Sequence, residues 1–392
     1  FAERSDLSMF TRFRNQVKTA IMPSLYHTEE LFEQVYLAAG KVERVVNLQW
    51  EQVYTIAAEG DLTSYSYPKG EARKAFHVCW GMAEYENLKR SGVPEDNLVL
   101  AGPIHMDFYR SEFARFFEDK KSFFAAYGLD SSKKSMLFIS SFAIDKKRGS
   151  TDFRSMSFEK TIDWIRALLS AETDIEFIYR PHPVEHDRSM LNELEKEFSH
   201  FHIISGHTVK QWISVCDCVC TWVSTSISEA YFASIPCAIV RPIEIPQECE
   251  MATYRNAKMI RSLEDFLDLP HAILSHSVDG KVMRRYYDVD PSVCSYMRLC
   301  DELERIAEAE LNFSWDDKAI ESFEKAKRKR VAKIVLYNCY LRFLGLCSKC
   351  LHLAGSSFSS KFGQYIEKRY DRWLSNIAGP SELSSVFKHS EI

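Results

Sequence analysis

Between residues 44 and 241, short apolar runs alternate with segments whose apolar positions recur at helical spacing. Arg44 to Trp50, with Val45-Val46-Asn47-Leu48 at its centre, reads as a strand, as do Phe76 to Trp80 and Asn97 to Ala101. A helix over Glu29–Ala39 precedes them, with Leu31, Phe32, Val35 and Tyr36 on one stripe, and a second helix, Ala83–Arg90, lies before the third strand. A helical stretch over about 107–127 closes at Gly128, and the polar Asp130–Lys134 leads into a new strand, Met136–Ser141. From there the pattern predicts helix Phe158–Ser170, strand Ile175–Tyr179, helix Leu191–Phe198, strand Phe201–Ser205, helix Val209–Val215 and strand Cys216–Thr221. A helix running to Ser234 and a strand Pro236–Val240 complete the series. Beyond Arg261 the spacing is helical only.

Strands and helices alternating at this pace build parallel α/β sheets. The restart after Gly128 divides the pattern into an N-terminal Rossmann-like domain (1–128), a second Rossmann-like domain (129–262) and a helical C-terminal region (263–392). Only three strands precede residue 105 in this reading, so one or two opening βα units are expected ahead of Phe1. In the last region a long segment, about 315–346, joins a basic block (Lys325, Lys327, Arg328, Lys329, Arg330, Lys333) to an apolar face that includes Ile334, Val335, Tyr340 and Phe343. Such a segment suits an anionic membrane surface, or a solvated basic face closing on a core.

Composition narrows the class. At 392 residues the chain has room for two to three domains, and 46% apolar with 27% charged residues is the balance of a globular protein. Lys and Arg number 50 against 55 Asp and Glu, a net charge of −5, so no global basic field points to nucleic acid. The 14 glycines are scattered, and neither a Walker A loop nor a G-x-G-x-x-G fingerprint occurs. A G-x-S-x-G elbow is also absent. Eleven cysteines form no framework: Cys216, Cys218 and Cys220 alternate as on one strand face, and Cys347-x-x-Cys350 has no second pair to make a zinc site. Reduced thiols in a cytoplasmic protein, peripheral on the membrane's inner face if the basic segment binds there, fit this usage.

Two loops carry the candidate chemistry. Arg180-Pro181-His182-Pro183 follows a strand end, and its prolines make it stiff and extended, presenting a guanidinium and an imidazole to an anion such as phosphate. The alternative is a structural turn. His182-Pro-Val-Glu185-His186 also matches the zinc pattern H-x-x-E-H, but Pro183 keeps His182 out of the helix that this chemistry requires. No metal is expected. The second loop, Ser224-Thr225-Ser226, lies between strand and helix, where hydroxyls cap a helix or meet phosphate. Glu229, one turn on, suits ribose hydroxyls or simply complements the helix dipole. In the first domain, Glu51 beside Trp50 at a strand end is a candidate general base, Lys69 a candidate cation facing an anionic ligand, and Asp107 a candidate acid or a helix cap.

Together these motifs resemble bacterial surface-carbohydrate enzymes of the two-domain GT-B type. Cys79-Trp80-Gly81, the following helix, Gly92-Val93 and Ala101-Gly102-Pro103…Asp107 look like the end of a GT-B N-terminal domain, and the R-P-H-P loop with Ser224–Pro236 looks like the donor half. A similar His-Pro plus Ser/Thr pair occurs in CMP-sugar-using sialyltransferases and Kdo transferases and in CDP-glycerol phosphotransferases. The resemblance covers about 44–241; the sialyltransferase base motif, an acidic residue followed by Asp-Gly, is absent. It implies a GT-B-like α/β fold, two Rossmann-like domains with parallel sheets facing a cleft. It further implies a glycosyltransferase that uses no cofactor and moves a sugar from a nucleotide-sugar donor, CMP-linked by preference, to a lipid-linked surface glycan such as O-antigen or capsule. His182 and Ser224–Ser226 would hold donor phosphate with Arg180 and Glu229 nearby, Glu51 would be the base, and Trp50, Lys69 and Asp107 would face the acceptor. A polyol-phosphate transferase, or a non-catalytic GT-B-like scaffold, are the alternatives.

Overall fold

The computed structural model describes residues 19–22, 44–48, 55–62, 67–68, 73–141, 153–183, 185, 188–271 and 277–309, with 336 and 343. The helix expected over 29–39, Trp50, Glu51, Lys69, the Cys347–Cys350 pair and the Lys325–Lys333 block lie outside them. The chain divides into two compact units; one comprises Val45–Glu310 with Ile21–Tyr26 and carries the architecture that follows apart from the first residues of β1 and β2, Thr19, Ala20 and Arg44.

The first sheet has the order β1 (Thr19–Met22), β2 (Arg44–Asn47), β3 (Phe76–Cys79), β4 (Leu98–Leu100). β2, β3 and β4 run parallel, with Val46 opposite Phe76 and Val78 opposite Val99. β1 is a strand that the pattern did not announce: four residues of Thr-Ala-Ile-Met before Pro23 are too few to display a period. Helix α1 (Ile56–Gly60) follows β2, and α2 (Met82–Arg90) joins β3 to β4. The stretch expected as one helix over 107–127 is two 3-10 turns, Ile104–Tyr109 and Ser111–Phe116, followed by α3 (Lys120–Tyr127). Extended backbone at Arg110 and Phe117 breaks it, and α3 starts where Asp119 accepts a hydrogen bond from the Ser122 amide at 3.0 Å.

The second sheet is formed by β5 (Lys134–Ile139), β6 (Ile175–Arg180), β7 (Phe201–Ile203), β8 (Cys218–Thr221), β9 (Cys237–Val240) and β10 (Met259–Ile260). Its order is β10-β9-β8-β5-β6-β7, and every pairing is parallel. The connecting helices are α4 (Phe153–Ala171), α5 (Ser189–Glu197), α6 (Val209–Val215) and α7 (Ser226–Phe232). After β10 come α8 (Leu263–Leu267), α9 (Gly280–Tyr286) and α10 (Ser295–Glu308).

Both faces of this sheet are covered, which is why its strands read as unbroken apolar runs. Met136, Phe138, Phe177, Cys218 and Cys220 pack with Ile162, Ile165 and Leu168 of α4 and with Phe266 of α8. On the opposite face Leu137, Ile139, Ile178, Val219 and Ile239 meet α3, α6 and α7 through Phe123, Phe124, Trp212 and Ile227. Cys218 and Cys220 therefore share a strand face, whereas Cys216 caps the end of α6 and joins the other core. The described cysteines are all free thiols.

The segment from Asp288 through α10 returns to the first sheet. Leu299 and Ile306 of α10 pack against Val46, Phe76, Val78 and Val99. The Asp288 amide donates to the Trp80 carbonyl at 2.6 Å. Gly102 makes this return possible: its φ is +83°, and a Cβ there would lie 2.5 Å from the Asp288 carbonyl oxygen and 2.8 Å from Ser295 Oγ. Gly102→Ala combines left-handed strain with a backbone clash, so it should lower the unfolding free energy by about 3 kcal/mol in urea titration.

Candidate functional site

From β5 the chain passes to β6 and then β7 on one side, and it returns to the other side of β5 for β8, β9 and β10. Connections leaving β5 and β8 therefore diverge, and parallel sheets bind ligands outside the carboxyl ends of strands at such a reversal. Four segments stand on that edge: Ser140-Ser141 after β5, Arg180–Pro183 after β6, Trp222–Ser226 after β8 and Arg241-Pro242 after β9. Thr221 ties the two strands at the reversal, its hydroxyl donating to the Ile139 carbonyl at 2.8 Å.

The R-P-H-P loop is rigid, but more than its prolines hold it. Glu185 is buried, and its carboxylate accepts from the His182 amide (3.2 Å), Ser140 Oγ (2.7 Å) and the Tyr179 hydroxyl (3.1 Å). The Glu185 amide in turn donates to the His182 carbonyl at 2.8 Å. These bonds grip the backbone of His182. Arg180 donates to the carbonyls of Gly206 (2.8 Å) and His207, so its guanidinium braces the loop after β7. Burial holds its pKa below the ordinary arginine value. In the H-x-x-E-H pattern His182, Pro183 and Glu185 are not helical and Glu185 serves as the loop's brace, while His186 lies outside the described residues. Among the described residues no three His, Cys, Asp or Glu side chains gather as metal ligands.

The Ser224–Ser226 turn is held from beneath. Ser224 donates its amide to the Tyr254 hydroxyl and its carbonyl accepts from the same hydroxyl, both at 2.9 Å. Ser224 Oγ accepts from the Ser226 amide at 3.2 Å, while Thr225 makes no side-chain capping bond. Below them Arg241, 1% exposed, pairs bidentately with Glu250 at 2.8 and 2.7 Å and donates to the Trp222 and Val240 carbonyls. Its guanidinium lies 5.2 Å from the Trp222 ring and 5.8 Å from the Tyr254 ring. Sequence reasoning missed this support. Its one local signal was an arginine before proline at a strand end.

The acidic candidates fare differently. Asp107 is buried and caps α10: its two oxygens accept from the Ser295 and Tyr296 amides at 3.0 and 2.8 Å. It is the helix cap, not an acid facing a ligand. Glu229 is buried one turn into α7, where Oε2 accepts from the Tyr109 hydroxyl at 2.9 Å and from Lys210 Nζ. Arg180, His182, Ser224, Thr225 and Ser226 thus share the carboxyl edge of the second sheet, with Glu229 behind the last of them.

His105, between Pro103 and Asp107, lies beside Glu229 and Lys210. Burial drives its pKa down to about 4; Glu229 opposes this and Lys210 adds to it. Between that value and the ordinary 6.5 the unfolded chain binds the proton that the folded chain refuses, so acidification favours unfolding. Stability attributable to His105 should fall by about 1.4 kcal/mol per pH unit below 6.5, reaching about 3 kcal/mol near pH 4. Urea melts of wild type and His105→Gln across this range should diverge accordingly, the variant being the flatter.

No family profile and no curated protein matches the chain. Solved structures do. A chain from Listeria monocytogenes, provisionally assigned as a UDP-N-acetylglucosamine 2-epimerase, matches with 12% identity over 79% of this chain and 82% of that one, at TM-score 0.50. The UDP-GlcNAc 2-epimerase of Neisseria meningitidis bound to UDP-GlcNAc matches with 13% identity over 77% and 80%, at 0.49. The wall teichoic acid polymerase TagF matches with 13% identity over 68% and 69%, at 0.45. Identity at this level speaks to fold alone. The fold is α/β and GT-B-like, with two parallel sheets, as the sequence implied.

Proposed function

We propose that this chain is a GT-B-type glycosyltransferase that moves a sugar from a nucleotide-sugar donor, CMP-linked by preference, to a lipid-linked surface glycan. The observation that carries this reading is the strand reversal between β5 and β8, which sets the R-P-H-P loop and the Ser224–Ser226 turn along one carboxyl edge. The donor's phosphate lies there. His182 and the hydroxyls of Thr225 and Ser226 meet its oxygens and stabilise the charge that develops on the leaving phosphate. Arg180 contributes by fixing the neighbouring 206–207 loop. Glu229 takes the ribose hydroxyls, Glu51 removes the acceptor's proton, and Trp50 and Lys69 line the acceptor side. Among the described residues no helix is long and apolar enough to cross a membrane. The basic Lys325–Lys333 block meets the anionic surface that carries the lipid-linked acceptor.

A thermal-shift series with CMP, CDP, UDP, GDP, their sugar conjugates and CDP-glycerol tests this reading. A ligand at 100 times its Kd adds about 2.7 kcal/mol to the folded state, an easily read rise in melting temperature. Selective stabilisation by CMP and CMP-sugars is the expected result. A response confined to CDP-glycerol moves the chain to the polyol-phosphate transferases, and no response to any nucleotide overturns the enzyme reading in favour of a scaffold.

A further inference from the structure

The carboxyl edge of the first sheet also carries chemistry that the proposed function leaves unused. Trp80 follows β3 and His105 follows β4, and their rings are stacked at a tilt with centroids 4.5 Å apart. The charged groups that face His105 come from elsewhere: Lys210 near the start of α6 and Glu229 in the first turn of α7. The largely buried imidazole of His105 makes no hydrogen bond with the described residues, yet neither ring nitrogen is among the fully enclosed polar atoms that lack a partner, so neither is completely sealed off. Glu229 is placed in a matching way. Its Oε2 is held by Tyr109 and Lys210, and Oε1 receives no hydrogen bond from the described residues. Lys210 Nζ also lies 5.7 Å from the centre of the Tyr109 ring, which fixes the ammonium from a second direction.

A core histidine normally satisfies at least one nitrogen. Here an imidazole has a tryptophan wall on one side and a pinned ammonium–carboxylate pair among its neighbours, with its own hydrogen-bonding capacity unused. We propose that His105 is a ligand-binding residue of the transfer site, in which its ring nitrogen accepts a hydroxyl of the sugar or polyol carried by the nucleotide while Oε1 of Glu229 accepts a second hydroxyl of the same donor. The ligand class is polyhydroxyl: two unused acceptors read O–H donors, while the buried Trp80 ring holds the imidazole in place. Burial and Lys210 keep the imidazole neutral at ordinary pH, so it can accept.

This inference rests on the transferase reading, and its test separates the two. Kd values for UDP against UDP-GlcNAc, for CDP against CDP-glycerol and for CMP against a CMP-sugar are measured by titration calorimetry on the full chain. Wild type, His105→Phe and His105→Gln are compared. Phenylalanine keeps the ring against Trp80 and removes the acceptor; glutamine keeps an acceptor. The conjugate should bind wild type more tightly than the bare nucleotide. His105→Phe should lose about tenfold of that advantage with bare-nucleotide affinity within twofold, and His105→Gln should recover most of it. An undiminished advantage in His105→Phe overturns the assignment, as does an equal loss of bare-nucleotide binding, which marks a structural role. A conjugate that binds wild type no better than its nucleotide also overturns it while leaving nucleotide use intact. If wild type binds none of the probes, the transferase reading falls and this proposal falls with it.

Discussion

Replacing Arg241 with methionine is expected to lower the unfolding free energy by about 3–5 kcal/mol, the largest stability effect of any single change in the second sheet's loops. The guanidinium is 1% exposed and forms both arms of a bidentate pair with the largely buried Glu250. Methionine fills much of the volume but leaves the carboxylate enclosed without a counter-charge. The Trp222 and Val240 carbonyls also lose their donors. Urea titration followed by tryptophan fluorescence checks the magnitude. The double variant Arg241→Met/Glu250→Leu should recover a good part of the loss, because a pair removed together leaves no orphaned charge. A single variant within about 1 kcal/mol of wild type contradicts the role given to the pair. The variant should also weaken nucleotide binding, since Arg241 and Tyr254 hold the backbone from Trp222 to Ser224.

His182→Ala should behave in the opposite way, with little effect on stability and a large effect on turnover. The bonds from Glu185 reach the amide and the carbonyl of His182, so removing the ring leaves that brace in place. Loss of one group that stabilises a leaving phosphate costs about 10²–10³ in kcat. The expected result is a melting temperature within about 1 °C of wild type and a rate reduced by at least 100-fold. Near-normal turnover removes His182 from the site. A steep fall in melting temperature instead identifies the ring as part of the loop's packing.

How far the chain could be read in advance depended on the range of the interactions. The second sheet was legible because both its faces are buried, so runs such as Ile175–Tyr179 and Val209–Val215 have the length and period of their elements. The stiffness of the R-P-H-P loop was also legible, being a local property of two prolines. What escaped were partners distant in sequence. Asp107 looks like an acid until its two oxygens are found on amides at Ser295 and Tyr296, nearly two hundred residues on. Arg180 looks like a phosphate ligand until its N–H groups are found on the 206–207 carbonyls. Glu185 drew notice as a metal-site residue, whereas its environment of Ser140, Tyr179 and the His182 amide makes it the loop's brace. Arg241 with Glu250, and His105 with Glu229 and Lys210, have no periodic signature at all; only the fold brings them together.

The central claim is a place: a nucleotide's phosphates at the carboxyl edge of the second sheet, between the ends of β5 and β8. Crystals of the chain soaked with CMP, CDP and UDP test it most directly through difference density. The account predicts density for the phosphates within hydrogen-bonding distance of His182 and the Thr225 and Ser226 hydroxyls, with the ribose toward Glu229. An ordered nucleotide bound elsewhere, with this edge holding only water, would contradict it.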